Sequence, residues 1–349
     1  MAIHTLTLRM MPLKKRVYTQ IRHRLYQLSE SGQVPLMGSA LPPLVHVRPI
    51  SGITVKMISK PIRQFELRLN PSLLFGGDYT DLCDLAEKTL VQLEEKVNSF
   101  LEIIGANFLF SDMCLSRIDC TQDITLPGMI DTTDMIDVIR RSKTGGGYER
   151  DDFSRDYKNY MQKNRHSFRA RCNDISLTVY DKGFQLVEEG IMSREEAPVN
   201  RLRFEAAFER SSFRRVMNDH LQATYTDLTT GETILFFSKF SMSLLQKYFG
   251  IGIMPGRYLR LDLAKEEIDK SGFSHAIKKE MKKFMVDVRK NYKYGVDGPL
   301  WDSKFTTSES YYLFKCFQKL NLNPVALPMR CKCSQCPSIQ ELLEGEIPA

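Results

Sequence analysis

The chain has 349 residues, 42% hydrophobic and 26% charged, the balance of an ordinary globular protein and not of a fibrous or disordered one; its length fits one or two domains with a large core and no need of disulfides or structural metal. Lys and Arg total 49 against 42 Asp and Glu, a net charge of +7, which permits a polyanionic partner without demanding one. No run of about 18 uncharged apolar residues occurs and the opening MAIHTLTLRMMPLKKR places its charge after the apolar stretch, the reverse of a secretory signal, so no membrane partner and a cytoplasmic location are expected.

Several segments alternate with period two and are rich in β-branched and aromatic residues: Thr5–Met10, Ile53–Ile58, Gln64–Asn70, Leu115–Thr125, Ser167–Cys172, Ile175–Lys182 and Arg201–Glu209. A helix is predicted from Thr80 to Ile104, with Leu82, Leu85, Leu93, Val97, Phe100 and Leu101 on its apolar stripe, Asp78 or Thr80 as its cap and Gly105 at its end. A second helix is expected at Thr133–Arg141, and Gly145 to Asn164 reads as a loop or flap. Past residue 240 helical patterns dominate, at Ser241–Phe249, Lys265–Asp269, Ser274–Tyr292 and Ser308–Leu320, before an acidic tail expected to fray. Strands first and helices afterwards predict an α+β protein, with a domain over 1–245 and a helix-rich domain over 246–349.

Side chains alternate faces along a strand, so each strand sorts into two sets. Tyr180 and Lys182 oppose Ile175, Leu177 and Val179; Arg201, Arg203, Glu205 and Glu209 oppose Leu202, Phe204 and Phe208; Arg117, Asp119 and Asp123 share a face, as do Glu66 and Arg68. Antiparallel sheets commonly keep one face wet, and solvation alone accounts for any single strand of this kind. The combined set is chemically coherent, however. Carboxylates from separate strands suit a hard divalent cation, a cation beside a tyrosine favours its phenolate and polarises a phosphoryl oxygen, and a lysine adds charge where negative charge develops.

Other motifs offer less. The histidines show no zinc-hydrolase spacing, there is no G-x-x-x-x-G-K-[ST] and no G-x-S-x-G. Five cysteines (83, 114, 120, 172, 316) sit among apolar neighbours as free thiols, whereas Cys331, Cys333 and Cys336 form a C-x-C-x-x-C cluster, three ligands short of a closed zinc set by one or, alternatively, a flexible reducible tail. Positive charge is concentrated in two places. Residues 1–30 carry Arg9, Lys14, Lys15, Arg16, Arg22 and Arg24 against Glu30 alone, and residues 274–293 carry Lys278, Lys279, Lys282, Lys283, Arg289, Lys290 and Lys293 against Glu280 and Asp287. A solvated helix face and a phosphate-binding face are even alternatives for the second run, and Tyr292 and Tyr294 fit either base stacking or core packing.

LSRIDCTQD (115–123), ISLTVYDKGFQL (175–186) and RLRFEAAFER (201–210), in that order, with weaker echoes at IHTLTLRMMP (3–12), SGITVKMI (51–58) and FELRLNPSLLFGGDYTDL (65–82), resemble the filamentous-phage gene II/X family of replication initiators, over roughly residues 1–220. The resemblance implies an antiparallel sheet flanked by helices, as in rolling-circle initiator nickases, and a protein that nicks and rejoins DNA at an origin. It implies that Tyr180 is the nucleophile and Lys182 its basic companion, that Asp119 and Glu205 hold Mg²⁺ or Mn²⁺, that Glu66 is a further acidic position grouped with them, and that Arg117 and Arg203 contact DNA phosphate. Lys278, Lys279, Lys282 and Lys283 are expected to bind DNA, with host polymerase and helicase as further partners. His4 stands where many members have Asp. A non-catalytic DNA-binding copy-control protein on the same scaffold and a tyrosine transposase acting on single strands are the alternatives.

Overall fold

The computed structural model describes residues 2–31, 36–37, 44–46, 52–150, 165–222, 224, 228–290 and 304–345. It is α+β with antiparallel strand pairing, and it divides into two compact units, each discontinuous in sequence: unit 1 is Met1–Gln122 with Ala207–Leu244, and unit 2 is Asp123–Ala206 with Leu245–Ala349. The sequence division at 245 falls beside one of these crossings, but residues 123–206 join the C-terminal residues instead of the N-terminal ones.

In unit 1, β1 (Ala2–Met10), β2 (Leu36–Met37), β3 (Leu44–His46), β4 (Ile53–Ile58), β5 (Gln64–Leu69) and β6 (Cys114–Thr125, to its residue 122) follow the order β2-β3-β4-β5-β1-β6. Alternation puts Leu6, Leu8, Val55, Met57, Phe65, Leu67 and Leu69 inside, each contributing about 1.5–3 kcal/mol of burial. Ile21 and Leu25 of α1 (Lys15–Glu30) and Leu93, Val97 and Phe100 of α3 (Glu87–Ile103) are buried as well; between these two helices in sequence lies the short α2 (Pro71–Leu74). Helix α3 starts seven residues later than its periodicity predicts. Asp78 Oδ1 accepts from the Thr80 and Asp81 amides in a turn of its own, and the Ile3 amide then donates to the Cys83 carbonyl at 2.9 Å, so the chain at 80–86 is held out of the helix and Ala86 becomes the cap.

In unit 2 the strand order is β10-β9-β8-β7, from β7 (Glu149–Arg150), β8 (Ser167–Cys172), β9 (Ile175–Asp181) and β10 (Arg201–Glu209, to its residue 206). Helix α4 (Thr132–Arg141) is capped by Asp131, whose carboxylate accepts from the Thr133 amide at 2.7 Å. Strand β9 ends one residue earlier than expected: Asp181 caps α5 (Lys182–Glu188) by accepting from the Phe184 amide at 2.9 Å, so Lys182 is the first residue of a helix. The segment 123–206 is bound to the C-terminal residues by the Phe204–Phe249 edge-to-face pair, by Ser142 and the Tyr258 hydroxyl at 2.9 Å, and by the Gly145 amide on the Gly252 carbonyl at 3.0 Å. A Cβ at Gly145 would stand 2.6 Å from the Ile251 carbonyl oxygen, which explains that glycine without invoking a phosphate cradle. Residues 151–164 of the expected flap lie outside the described residues.

The remaining helices are α6 (Arg210–Leu221), α7 (Thr230–Gly252), α8 (Leu261–Lys270), α9 (His275–Lys290), α10 (Thr307–Lys319) and α11 (Ile339–Glu344); α7 passes from unit 1 into unit 2 at Leu244. The tail does not fray where expected. A Ser338–Glu341 capping box starts α11, and Ile339, Leu342 and Leu343 are buried. Nor is the cysteine cluster a flexible tail. Cys331, Cys333 and Cys336 are all buried, Gln335–Cys336 pairs with Tyr258–Leu259 as a two-stranded ladder, and Cys333 and Cys336 sulfurs stand 3.5 Å apart. Tyr292 and Tyr294 lie outside the described residues.

Candidate active site

Among the described residues, the ionisable side chains read from the strands meet around Tyr180 in unit 2 and around Asp119 and Glu66 in unit 1. In unit 2, Tyr180 near the end of β9 is 9% exposed, and its hydroxyl donates to Glu205 Oε1 of β10 at 2.7 Å. Burial first, and then the Glu205 charge, push the phenol well above its ordinary pKa, so at neutral pH it holds its proton and offers it to the carboxylate.

Beside them on β10, Arg203 has no exposed surface and grips Asp123 with two nearly parallel bonds, Nε to Oδ1 at 2.6 Å and Nη2 to Oδ2 at 2.7 Å. This fork geometry is the strong form of the ion pair. A side chain with 0% exposure does not reach a DNA phosphate, so the expected phosphate contact at Arg203 gives way to a different role: it fixes β10 to Asp123 and adds fixed positive charge near Tyr180, where its field opposes the rise of the phenol pKa. Lys182 is 2% exposed, and its ammonium donates to Gln185 Oε1 at 3.0 Å, which is in turn held by its own amide on Glu189 at 2.9 Å. Desolvation and the neighbouring Arg203 charge bring the Lys182 pKa down to about 8.

Unit 1 holds the other carboxylates. Asp119 on β6 is 1% exposed; its two oxygens accept from the Thr5 hydroxyl and from Arg117 Nε, the latter at 2.7 Å. Thr5 faces Asp119 directly in the β1–β6 ladder, which is irregular at His4. Arg117 also lies 3.7 Å from Glu209. Glu66 faces Arg9 across the β1–β5 ladder, with a 3.6 Å ion pair. The polar faces read from alternation are therefore mixed: Asp119, Glu66, Arg203 and Lys182 are buried, whereas Arg68 stays exposed and Arg9, Arg117, Arg201 and Glu209 are half-buried.

The cation expected at Asp119, Glu205 and Glu66 has oxygen donors of the right chemistry, but among the described residues no three His, Cys, Asp or Glu side chains cluster to hold a metal ion. Glu205 fits a Mg²⁺-type site on its own terms, because that ion is commonly held by one or two carboxylates with water and substrate phosphate completing its shell. Of the lysines expected to bind DNA, Lys278 donates to the Asp269 carbonyl at 2.8 Å, Lys282 pairs with the Asp269 carboxylate and Lys283 with Glu280 at 2.8 Å, while Lys279 is exposed. Two of the four lysines, Lys282 and Lys283, are thus paired with acids of their own neighbourhood.

Sequence reading assigned no role to Asp123, Thr5 or Gln185. Asp123 shares the β6 alternation set with Asp119, and Gln185 sits three residues after Lys182, the spacing of helical neighbours; Thr5 needed the strand register. No family model and no curated protein matches the chain.

Proposed function

We propose that this chain is a divalent-metal-dependent DNA nicking-joining enzyme of the gene II/X kind, on the antiparallel sheet of rolling-circle initiators, working in the cytoplasm of a bacterial host. The observation that supports it is the 2.7 Å bond from the Tyr180 hydroxyl to Glu205: a nucleophile already aimed at a base. Tyr180 passes its proton to Glu205 and attacks the phosphorus of an origin phosphodiester. The bond from phosphorus to the 3′ oxygen breaks, the 5′ phosphate stays on Tyr180, and the 3′ oxygen leaves as a hydroxyl for host polymerase to extend. Lys182, with a pKa of about 8, is positively charged at neutral pH, and from its buried seat on Gln185 its field favours the negative charge that develops on the phosphate. The phosphotyrosine keeps the energy of the broken ester, so attack by a 3′ hydroxyl rejoins the strand without nucleotide hydrolysis.

Mg²⁺ or Mn²⁺ bound at Glu205 would supply Lewis-acid polarisation of the phosphate and favour the phenolate. The resemblance extends the metal role to Asp119 and Glu66, and each is testable alone by substitution and metal titration.

The test uses the full chain with supercoiled DNA bearing its own element's origin, with Mg²⁺, Mn²⁺ or EDTA, and Tyr180→Phe alongside. A metal-dependent nick and a denaturant-resistant protein–DNA adduct, both absent in Tyr180→Phe, are expected. Cleavage that persists in that variant overturns the assignment. The burial of Tyr180, 9% exposed, favours the copy-control alternative on one point, and DNA binding without cleavage under any metal would establish it.

A further inference from the structure

We infer that the outward face of α1 is a second binding surface, built to lie along the phosphate backbone of duplex DNA. Lys14, Lys15, Arg16, His23 and Arg24 are exposed, together with the neutral donors Thr19, Gln20 and Gln27, and Glu30 at the last turn is the helix's lone acid. Nothing about folding calls for this pattern. Cations in the first turn oppose the helix dipole, each at a cost of about 0.3–1 kcal/mol, and the first turn holds no acid to offset them.

The face also has a shape. An open cleft of about 810 Å³ runs along it, lined by Lys15, Arg16, His23 and Arg24 and closed at one side by Ile104 and Gly105, the residues that end α3. Arg24 Nε donates to the Ile103 carbonyl at 3.1 Å and Gln20 to the Gly105 carbonyl at 3.2 Å, which sets the wall of the cleft and orients the remaining donors. From Lys15 to Arg24 the helix advances about 14 Å, a length over which duplex DNA carries roughly eight phosphate charges.

Two other polyanions fit less well. A membrane surface is recognised by a helix that exposes an apolar side for insertion, whereas the apolar stripe of α1, Tyr18, Ile21, Leu25 and Leu28, is buried. Single strands are gripped by stacking platforms, and the cleft is lined by no Phe, Tyr or Trp. This surface rests on the nicking reading only in that both name DNA.

The experiment measures binding of the full chain to a 24-base-pair duplex of arbitrary sequence as salt is raised, in wild type, in the triple variant Lys14→Gln/Lys15→Gln/Arg16→Gln, and in a control that neutralises the exposed Lys88, Arg215 and Lys239. The triple variant should lose between two and three units of the slope of log affinity against log salt, about 0.9 for each phosphate contact removed, and bind tenfold to a hundredfold more weakly at 150 mM salt; the control should keep the wild-type slope. An unchanged slope in the triple variant, an equal loss in the control, or no duplex binding by wild type even at 50 mM salt overturns the proposal. So does wild-type binding to vesicles of one-third phosphatidylserine that exceeds duplex binding and falls in the triple variant. The variant retains Tyr180 and Glu205, so adduct formation judges the nicking reading separately.

Discussion

Asp119 in unit 1 and Glu205 in unit 2 are both carboxylates on the polar set of a strand, and their partners differ in kind. Asp119 takes a hydroxyl from Thr5 and a guanidinium from Arg117, so both of its oxygens are engaged. Glu205 takes its hydrogen bond from Tyr180, a donor that can itself ionise. In unit 2 the guanidinium belongs to Arg203 and goes to a separate acid, Asp123. The Arg203 charge acts on Glu205 as well as on Asp123, so both acids of unit 2 sit in its field. The two carboxylates thus differ in the donors they meet, a hydroxyl and a guanidinium in unit 1 and a titratable phenol in unit 2.

Glu205→Gln should sharpen this difference most. It keeps the shape but removes the base, and adduct formation should fall by about 10²–10⁴-fold with the melting temperature nearly unchanged, whereas Asp119→Asn should act on stability. Arg203→Met should break the fixed-charge pair. It takes the buried fork from Asp123 and leaves only the looser Arg201 pair at 3.9 Å, at a cost of up to about 3–5 kcal/mol, read by urea denaturation; a loss under 1 kcal/mol would refute the view that Arg203 anchors β10.

Thr5→Val removes one donor from the buried Asp119 and should cost about 1–3 kcal/mol by the same assay. A pH series separates the lysine from the rest. The folded-state pKa of Lys182 lies below its ordinary value of 10.5, at about 8, so the unfolded chain binds the extra proton between those limits and this side chain's contribution to stability rises with pH across that window, against the fall set by the raised thiols of Cys83, Cys120 and Cys331. Lys182→Met should remove that rise between pH 8 and 10, before the raised phenol of Tyr180 enters; an identical slope in both proteins would show that Lys182 does not carry it. The smallest effect belongs to the surface. Lys283→Ala breaks only an exposed pair with Glu280 and should change stability by no more than about 0.5 kcal/mol.

Period-two alternation located the strands that bear these groups within a residue or so, because a strand buried on one side must repeat every second position. It also grouped Asp119 with Asp123 and Arg203 with Glu205. What it could not supply was register and caps. Which carboxylate meets which guanidinium depends on strand pairing, and a polar stripe reads the same whether it faces water or is covered, as Arg203 and Lys182 are. The start of α3 was misplaced because Leu82 and Leu85 continue a helical pattern that the Asp78 turn and the Cys83 bridge override. The tail was misjudged because its acids were read as solvation, when Glu341 serves a capping box.

The interleaving of the two units along the chain has a consequence during synthesis. Unit 1 is complete once residue 244 has been made, but residues 123–206 must wait for the chain beyond 245. Phe249 and Gly252, which cover Phe204 and Leu177, are made within about 2–9 s of residue 206 at roughly 5–20 residues per second. A chain ending near 245 would leave Leu177 and Phe204 without that cover.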